Sequence, residues 1–278
     1  MIDQKTAHLS REIMAHSKMF GADLAGIANV ADIKQSPSHK MSKKMPAFDG
    51  VGTQSVKGRK RGIVQWPESA KSAIVIAIKH PPEKPELDWW VTGFSAGNTA
   101  GNRLLISVVN KLANFLEKEL GIRGFKLPYH IENGGVYMKD SAVIAGLGCI
   151  GKNNLLITPQ YGSYQRLRVM LTETELPSTG PLDFDPCLKC PMPCRKACPQ
   201  QAFSTKIYTK EAYGMDQFPG RCGGYNRFLC NRQMEIDIAN AEAIEIEGQA
   251  AMGKIIKYCR KCEMACPVGL TDKNSSEA

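Results

Sequence analysis

Two runs of cysteine constrain this chain more than any other feature. Cys187-Leu-Lys-Cys190-Pro-Met-Pro-Cys194-Arg-Lys-Ala-Cys198-Pro199 is answered downstream by Cys259-Arg-Lys-Cys262-Glu-Met-Ala-Cys266-Pro267. Each run ends in C-x3-C-P, the ending that marks the cysteine crossing to the other cluster where one chain carries two [4Fe-4S] clusters. A tight C-x2-C loop supplies neighbouring corners of such a cube, and a distant cysteine closes it. Cys187, Cys190 and Cys194 with Cys266 make one cluster on this reading; Cys198, Cys259 and Cys262 are one ligand short, and Cys222 is the expected completion. In the first run three residues, not two, separate the second and third cysteines, so the loop must bulge there. Zinc is the rival, since C-x2-C pairs also build tetrahedral sites. Zinc ribbons, however, do not call for an x3 spacing followed by proline. A disulfide framework suits small secreted domains, whereas this chain has 278 residues and opens on no recognisable leader.

About 180 residues precede the first cysteine run, enough for a core of their own, so two domains are expected, 1–178 and 179–278. Hydrophobic residues make up 43% and charged residues 23%, and no apolar run approaches the length of a membrane span. A soluble protein of a reducing cytoplasm is the expectation, with no membrane partner. The net charge of +9 favours an acidic or polyanionic partner: RNA, a phosphate-bearing cofactor, or an acidic electron carrier such as ferredoxin or flavodoxin.

Along the chain, residues 5–20 carry Leu9, Ile13 and Phe20 near helical spacing and stop at Gly21, ahead of a strand at 24–27. From 32 to 68 the pattern dissolves into Ser, Pro, Lys and Gly. This stretch holds the basic run Lys57-Gly-Arg-Lys-Arg61, either a solvated loop or a docking point for RNA or an acidic partner. Ser72-Ala-Ile-Val-Ile-Ala-Ile78 reads as a strand buried on both faces. The span 103–120, with Leu105, Val108, Leu112 and Leu116 on one face and Gly121 as its stop, reads as a helix. Next come an extended 125–131 and a helix over 137–145.

Gly146-Leu-Gly148-Cys-Ile-Gly151-Lys152 is formally G-x-G-x-x-G. A dinucleotide site needs a strand before the glycines and a helix after them, and here the order is inverted. What remains is a turn whose glycines let backbone amides approach a large ligand, with Lys152 beside them. Strands at 155–157 and 167–171 are expected to pair as a hairpin through the Tyr161-Gly-Ser-Tyr164 turn, and 177–185 reads as a linker.

The run Lys139-Asp-Ser-Ala-Val-Ile-Ala-Gly-Leu-Gly-Cys-Ile-Gly-Lys-Asn-Asn-Leu-Leu-Ile-Thr-Pro-Gln-Tyr-Gly-Ser-Tyr, continuing to Thr172-Glu-Thr-Glu-Leu-Pro177, resembles the epoxyqueuosine reductases. They carry a similar A-G-L-G-W-I-G-K-N segment, a Y-G-S-W turn and a T-D-x-x-L ending ahead of double-cluster cysteines. It is also similar to the longer corrinoid reductive dehalogenases. The resemblance implies an α+β fold, a nitroreductase-like cobalamin-binding domain followed by a bicluster ferredoxin-like domain. It implies base-off cobalamin held by Gly146, Gly148, Cys149, Gly151, Lys152, Asn153, Tyr161, Ser163 and Tyr164. It also matches Arg221-Cys222 to the remaining cluster ligand, which leaves Cys149 and Cys230 as buried or pocket-lining thiols. The aspartate thought to donate a proton in that family lies fourteen positions before the first glycine of A-G-L-G; counting back from Gly146 lands on Glu132, the candidate catalytic acid. Two differences reshape the face over the corrin: Cys149 replaces the tryptophan, and Tyr164 replaces the second aromatic.

The activity implied is that of a cobalamin-dependent iron-sulfur reductase. Electrons from a low-potential carrier pass through two clusters and reduce cobalt to Co(I), which attacks an electrophilic small molecule or, as in the queuosine enzymes, a modified nucleoside of tRNA. The alternative class is a non-catalytic electron-transfer protein or corrinoid activator, for which the cluster module alone would suffice.

Overall fold

The computed structural model describes residues 4–45, 48, 50–51, 53, 64, 66–94, 97–246 and 252–269; the basic run 57–61 lies outside the described residues. Helix α1 (Gln4–Met19) leads into strand β1 (Leu24–Asn29). Two short helices follow, α2 (Val30–Gln35) and α3 (Pro37–Ser42), where the sequence pattern suggested irregular chain. Six residues are too few to display helical periodicity, and local caps fix them instead. The Asn29 side chain accepts the Ala31 N–H at 2.7 Å, and Pro37 opens α3 where its missing N–H costs no helical bond. Strands β2 (Ser72–Lys79) and β3 (Trp90–Val91) precede α4 (Ala100–Leu120). Gly121 caps α4 in the left-handed region with φ 63°. Then come β4 (Gly124–Lys126), α5 (Met138–Ile144), β5 (Cys149–Ile150), β6 (Leu156–Ile157) and β7 (Gln165–Thr172).

The main sheet has the order β1-β2-β7-β4 with every pair antiparallel. Its central strand explains why 72–78 is apolar throughout. Ile74, Ile76 and Ile78 pack with Leu105, Leu112 and Leu116 of α4 and Ile13 of α1, while Ala73, Val75 and Ala77 pack with Ala142 and Ala145 at α5. Each isoleucine fully buried in this way contributes on the order of 1.5–3 kcal/mol. The expected hairpin between 155–157 and 167–171 does not form. β6 pairs with β5, and β7 enters the centre of the sheet, setting Leu171 opposite Ala73 and Val169 opposite Val75. A strand with Leu167, Val169, Met170 and Leu171 all buried needs cover on both faces, which a two-residue partner cannot give.

The cysteine-bearing half is built from short pieces: α6 (Pro193–Lys196), α7 (Lys210–Tyr213), α8 (Arg227–Ala239), β8 (Glu242–Ile244), β9 (Gly253–Ile256) and α9 (Lys261–Met264). It is sewn to the first half. β3 joins β9 and β8 in one sheet, with Trp90 opposite Ile256. The segment read as a linker is anchored as well: Thr179 N–H donates to the Ile27 carbonyl at 2.9 Å, and Ile27 N–H donates to Thr179 Oγ1 at 2.8 Å. Among the described residues no helix is long and apolar enough to cross a membrane.

The strongest seam is a buried charge network. Asp88 Oδ1 meets His80 Nδ1 at 2.7 Å and Arg166 Nε at 2.9 Å, and Asp88 Oδ2 meets Arg260 Nη1 at 2.7 Å. Glu263 receives Arg260 Nη2 at 2.6 Å and Arg166 Nη2 at 3.0 Å. Burial alone would raise the Asp88 pKa, but the His80 hydrogen bond and the charges of Arg166 and Arg260 hold it below the ordinary carboxylate range.

Two outcomes follow from this packing. Asp88→Asn leaves two buried guanidiniums short of a counter-charge and should lower the unfolding free energy at pH 7 by about 3–5 kcal/mol, read by denaturant titration; a loss below about 1 kcal/mol would show that the network does not hold the halves together. His39 is buried, with Nδ1 at 2.8 Å from Ser36 Oγ and Nε2 accepting the Tyr137 N–H at 3.4 Å. Desolvation lowers its pKa to about 4, against an opposing pull from Asp140. The unfolded chain, with an ordinary histidine near 6.5, binds the proton first, so this stabilisation is complete above about pH 6.5 and is lost as pH falls towards 4. His39→Gln should therefore flatten the fall in stability between those values, by about 3 kcal/mol at full extent.

Candidate functional site

Between the two halves lies a cavity of about 1840 Å³, well beyond the roughly 300–1,000 Å³ of ordinary small-molecule sites. Its first-half wall comes from the start of α4 (Thr99, Asn102), residues 128–131 and Asn133, the start of α5 (Met138, Lys139, Asp140) and the residues Arg166 and Arg168 of β7. Its second-half wall includes Asp185, Arg221, Tyr225, Tyr258, Cys259, Arg260 and Glu263. The charge network therefore both closes the seam and forms part of the cavity wall.

The thiols gather into two sets. Cys194 is raised by burial and by the neighbouring charges of Cys266, Cys187 and Cys190; Cys266 is raised by burial and likewise by Cys187 and Cys190. This is the first foursome expected from spacing. In the second set, burial pushes Cys262 up to about 12, with Cys230, Cys259 and Cys198 adding to it. Cys259 is raised by burial and by Asp237, Cys230 and Cys198. So the structure brings Cys230 beside Cys198, Cys259 and Cys262. Asn226 is the reason: its side chain caps α8 by accepting the Phe228 and Leu229 N–H groups at 3.0 and 3.1 Å, which sets Cys230 in the first turn. At the other end of α8, Asp237 accepts the Cys259 N–H at 2.7 Å. An asparagine cap four residues before a cysteine was the available signal.

Cys222 is exposed. Burial would raise it, yet Arg195, whose Nη2 donates to Cys222 Sγ at 3.0 Å, brings it below the ordinary thiol value. Cys149 is half-buried on the cavity wall, pushed up to about 11 by burial and by nearby Cys187 and Asp185. Asp185 is clamped by Arg221 and accepts the Cys187 N–H at 3.0 Å. Among the described residues no three His, Cys, Asp or Glu side chains converge on the position of a single metal ion; a cubane spreads its thiolates more widely than one tetrahedral ion does.

Of the residues expected to hold a corrin, Cys149 and Ser163 line the cavity. The glycine turn instead meets protein. A Cβ on Gly146, where φ is +72°, would lie 2.8 Å from the Thr179 carbonyl oxygen, and one on Gly148 would lie 2.0 Å from that of Ile157. Gly151 packs against Asn153 and Ile157. Lys152 offers its carbonyl to Arg195 Nε at 2.8 Å, and Asn153 Nδ2 reaches the Cys262 carbonyl at 3.4 Å. Ser163 Oγ donates to the Glu263 carbonyl at 3.1 Å and Tyr164 Oη to that of Met264 at 3.2 Å. Tyr161 takes the Lys79 ammonium over its ring at 5.8 Å. Most of this segment is thus the socket for the cysteine half. Glu132 falls in a 3-10 turn, Ile131–Asn133, whose flanking residues Ile131 and Asn133 line the cavity. Missed by sequence reasoning is Lys139: burial lowers its pKa to about 8 against the pull of Asp140, with Cys262 and Cys230 nearby, and its ammonium donates to the Asn154 carbonyl.

No protein-family model matches the chain. It is 27% identical over 206 residues to the epoxyqueuosine reductase of Lactococcus garvieae (strain Lg2), which takes in 72% of this chain and 52% of that protein. With the epoxyqueuosine reductase of Pseudomonas aeruginosa it shares 28% over 201 residues, 72% of this chain and 48% of the other. The chain spans about half the length of these curated relatives. Among solved structures, epoxyqueuosine reductase with an epoxyqueuosine-modified tRNA-Tyr stem loop superposes with TM-score 0.56 at 19% identity, over 94% of this chain and 65% of that one. A catabolic reductive dehalogenase in complex with 3-bromo-4-hydroxybenzoic acid gives TM-score 0.50 at 18% identity, over 72% of this chain and 26% of that one. In sequence the chain is a relative of the epoxyqueuosine reductases, and its α+β fold is the one they share with the reductive dehalogenase.

Proposed function

We propose that this chain is a cobalamin-dependent iron-sulfur reductase acting on epoxyqueuosine in tRNA. The observation that carries the reading is the cavity of about 1840 Å³ together with two groups of neighbouring thiols in the half of the chain that forms its second wall. Its donor chemistry fits two [4Fe-4S] clusters, held by Cys187, Cys190, Cys194 and Cys266 and by Cys198, Cys230, Cys259 and Cys262. Its volume fits a corrin; Cys259 of the second foursome lies on the cavity wall, and so does Cys149, which neighbours Cys187 of the first. When bound, the clusters carry single electrons and the corrin supplies a strongly reducing cobalt that attacks the electrophilic substrate. The tRNA assignment rests on the curated relatives and on the solved complex of epoxyqueuosine reductase with a modified tRNA stem loop; a net charge of +9 suits that polyanion and an acidic donor such as ferredoxin or flavodoxin.

The chain's own residues bind, orient and protonate. The Arg221 and Asp185 pair fixes the loop entering Cys187. Lys139 places a cation between the cavity and the second foursome. Glu132 is the proton donor, and a carboxyl group walled by a corrin loses solvation, which favours its protonated form at neutral pH.

Anaerobically reconstituted protein, given a low-potential reductant and epoxyqueuosine-containing tRNA, should convert that nucleoside to queuosine, read by mass spectrometry of digested tRNA. Glu132→Gln should leave corrin binding intact while lowering turnover by about 100-fold to 10,000-fold. If protein with full iron content and bound corrin leaves the nucleoside unchanged, the tRNA assignment falls. Iron analysis checks the ligands separately: Cys230→Ser should drop the content from about eight iron to about four, and Cys222→Ser should keep all of it. The reverse pattern returns Cys222 to the ligand set.

A further inference from the structure

We propose that Arg168 is the phosphodiester-binding residue of the cavity. Residues 166, 168 and 170 of β7 share the sheet face turned to α4. At position 170 that face is closed core, Met170 being 1% exposed; at 166 and 168 it opens into the cavity and carries arginines. The cavity arginines differ in one respect. Arg166 and Arg260 each meet both Asp88 and Glu263, and Arg221 meets Asp185. Arg227 and Arg168 meet none: Arg227 Nη2 donates to the Val51 carbonyl at 2.9 Å, whereas Arg168, beside the start of α4, has its Nη1 donating to the neutral Asn102 Oδ1 at 3.0 Å and its guanidinium carbon 5.6 Å from the Tyr129 ring centre. Among the described residues no carboxylate pairs with it. Burial lowers its pKa, with Tyr129 pulling the other way. A guanidinium drawn partly out of water without a counter-charge is costly, and the cost is offset where a ligand brings the anion.

The nearest protein groups also favour an anion there. Asn102 belongs to the first turn of α4, a turn with no acidic residue, and Thr99 caps it through the Asn102 N–H at 3.0 Å. The planar fork of an arginine matches a phosphate or carboxylate in two parallel hydrogen bonds. Resting on the function proposed above, the occupants of the cavity are a cobalamin, whose side chains are amides and whose nucleotide loop holds one phosphodiester, and an RNA, whose anions are all phosphodiesters. Either supplies the same group.

The test uses cluster-reconstituted protein under anaerobic conditions and three probes: cobalamin, cobinamide, which has the corrin ring without the nucleotide loop, and an RNA anticodon stem loop added to corrin-loaded protein. Corrin absorption reads the first two and fluorescence anisotropy the third. If the loop phosphate is the ligand, Arg168→Gln weakens cobalamin about 10-fold to 100-fold and leaves cobinamide unchanged. If the RNA supplies the phosphate, both corrinoids bind as in the parent, the RNA weakens at least about 10-fold, and the slope of log affinity against log salt falls by about one. Unchanged binding of all three probes overturns the inference, as does equal weakening of cobalamin and cobinamide. Arg168→Lys, which keeps the charge and loses the fork, should lie between parent and Arg168→Gln for the affected probe and leave the other probes at parental affinity; it replaces Arg168→Gln in every comparison if that variant loses iron. A parent protein that binds neither corrinoid nor RNA removes the function proposed above, whereas parental binding with an indifferent Arg168 removes this inference alone.

Discussion

Asp88 is the point through which the two halves of the molecule are held in register. It lies just before β3 in the first half and accepts from His80 and Arg166 on its own side and from Arg260 on the other. Glu263 mirrors it from the cysteine half, reaching back to Arg166. Because Arg260 and Glu263 sit among Cys259, Cys262 and Cys266, the network fixes the height of the cysteine runs against the sheet. Charges this deep are stable only as a complete set: desolvating one ion costs several kcal/mol, and each here recovers that through at least two partners. The consequence is a rigid cavity wall, where a clamp of apolar side chains would tolerate sliding.

The cysteine half has little core of its own. Its helices α6, α7 and α9 are four residues each, too short to be stable alone. What orders them is contact with the first half: the carbonyls of Cys262, Glu263 and Met264 are taken by Asn153, Ser163 and Tyr164. The segment 146–164 is therefore best understood as a docking socket. Its glycines are there because backbone must approach backbone, at Thr179 and at Ile157, and a side chain at either point would separate the layers.

Much of this was legible in the residues. The apolar run at 72–78 specified a strand covered on both faces, and the stripe at Leu105, Leu112 and Leu116 specified the helix that covers one of them. The spacing of Cys187, Cys190, Cys194 and Cys266 specified a foursome that the structure assembles. The strand and helix signals and the Cys187–Cys194 loop are local, so neighbouring side chains settle them; Cys266, 72 residues beyond Cys194, was legible only through the repeated C-x3-C-P ending. The short helices α2 and α3 were not legible, since they are held by caps and by Ser38, whose hydroxyl donates to the distant Asp140 at 2.7 Å.

The sequence by itself determined β2 and α4 of the sheet half, the cluster chemistry of the cysteines and the resemblance to epoxyqueuosine reductases. Tertiary structure alone decided which strand β7 pairs with, that Cys230 lies beside Cys259 and Cys262, and that no carboxylate among the described residues pairs with Arg168. The physical reason is common to all three. Pairing of β7 depends on burial of both faces, the position of Cys230 depends on where the Asn226 cap aims the first turn of α8, and the isolation of Arg168 depends on Asp88 and Glu263 being held by Arg166 and Arg260. Each is a matter of distances between residues far apart in the chain, and composition and spacing carry no record of those.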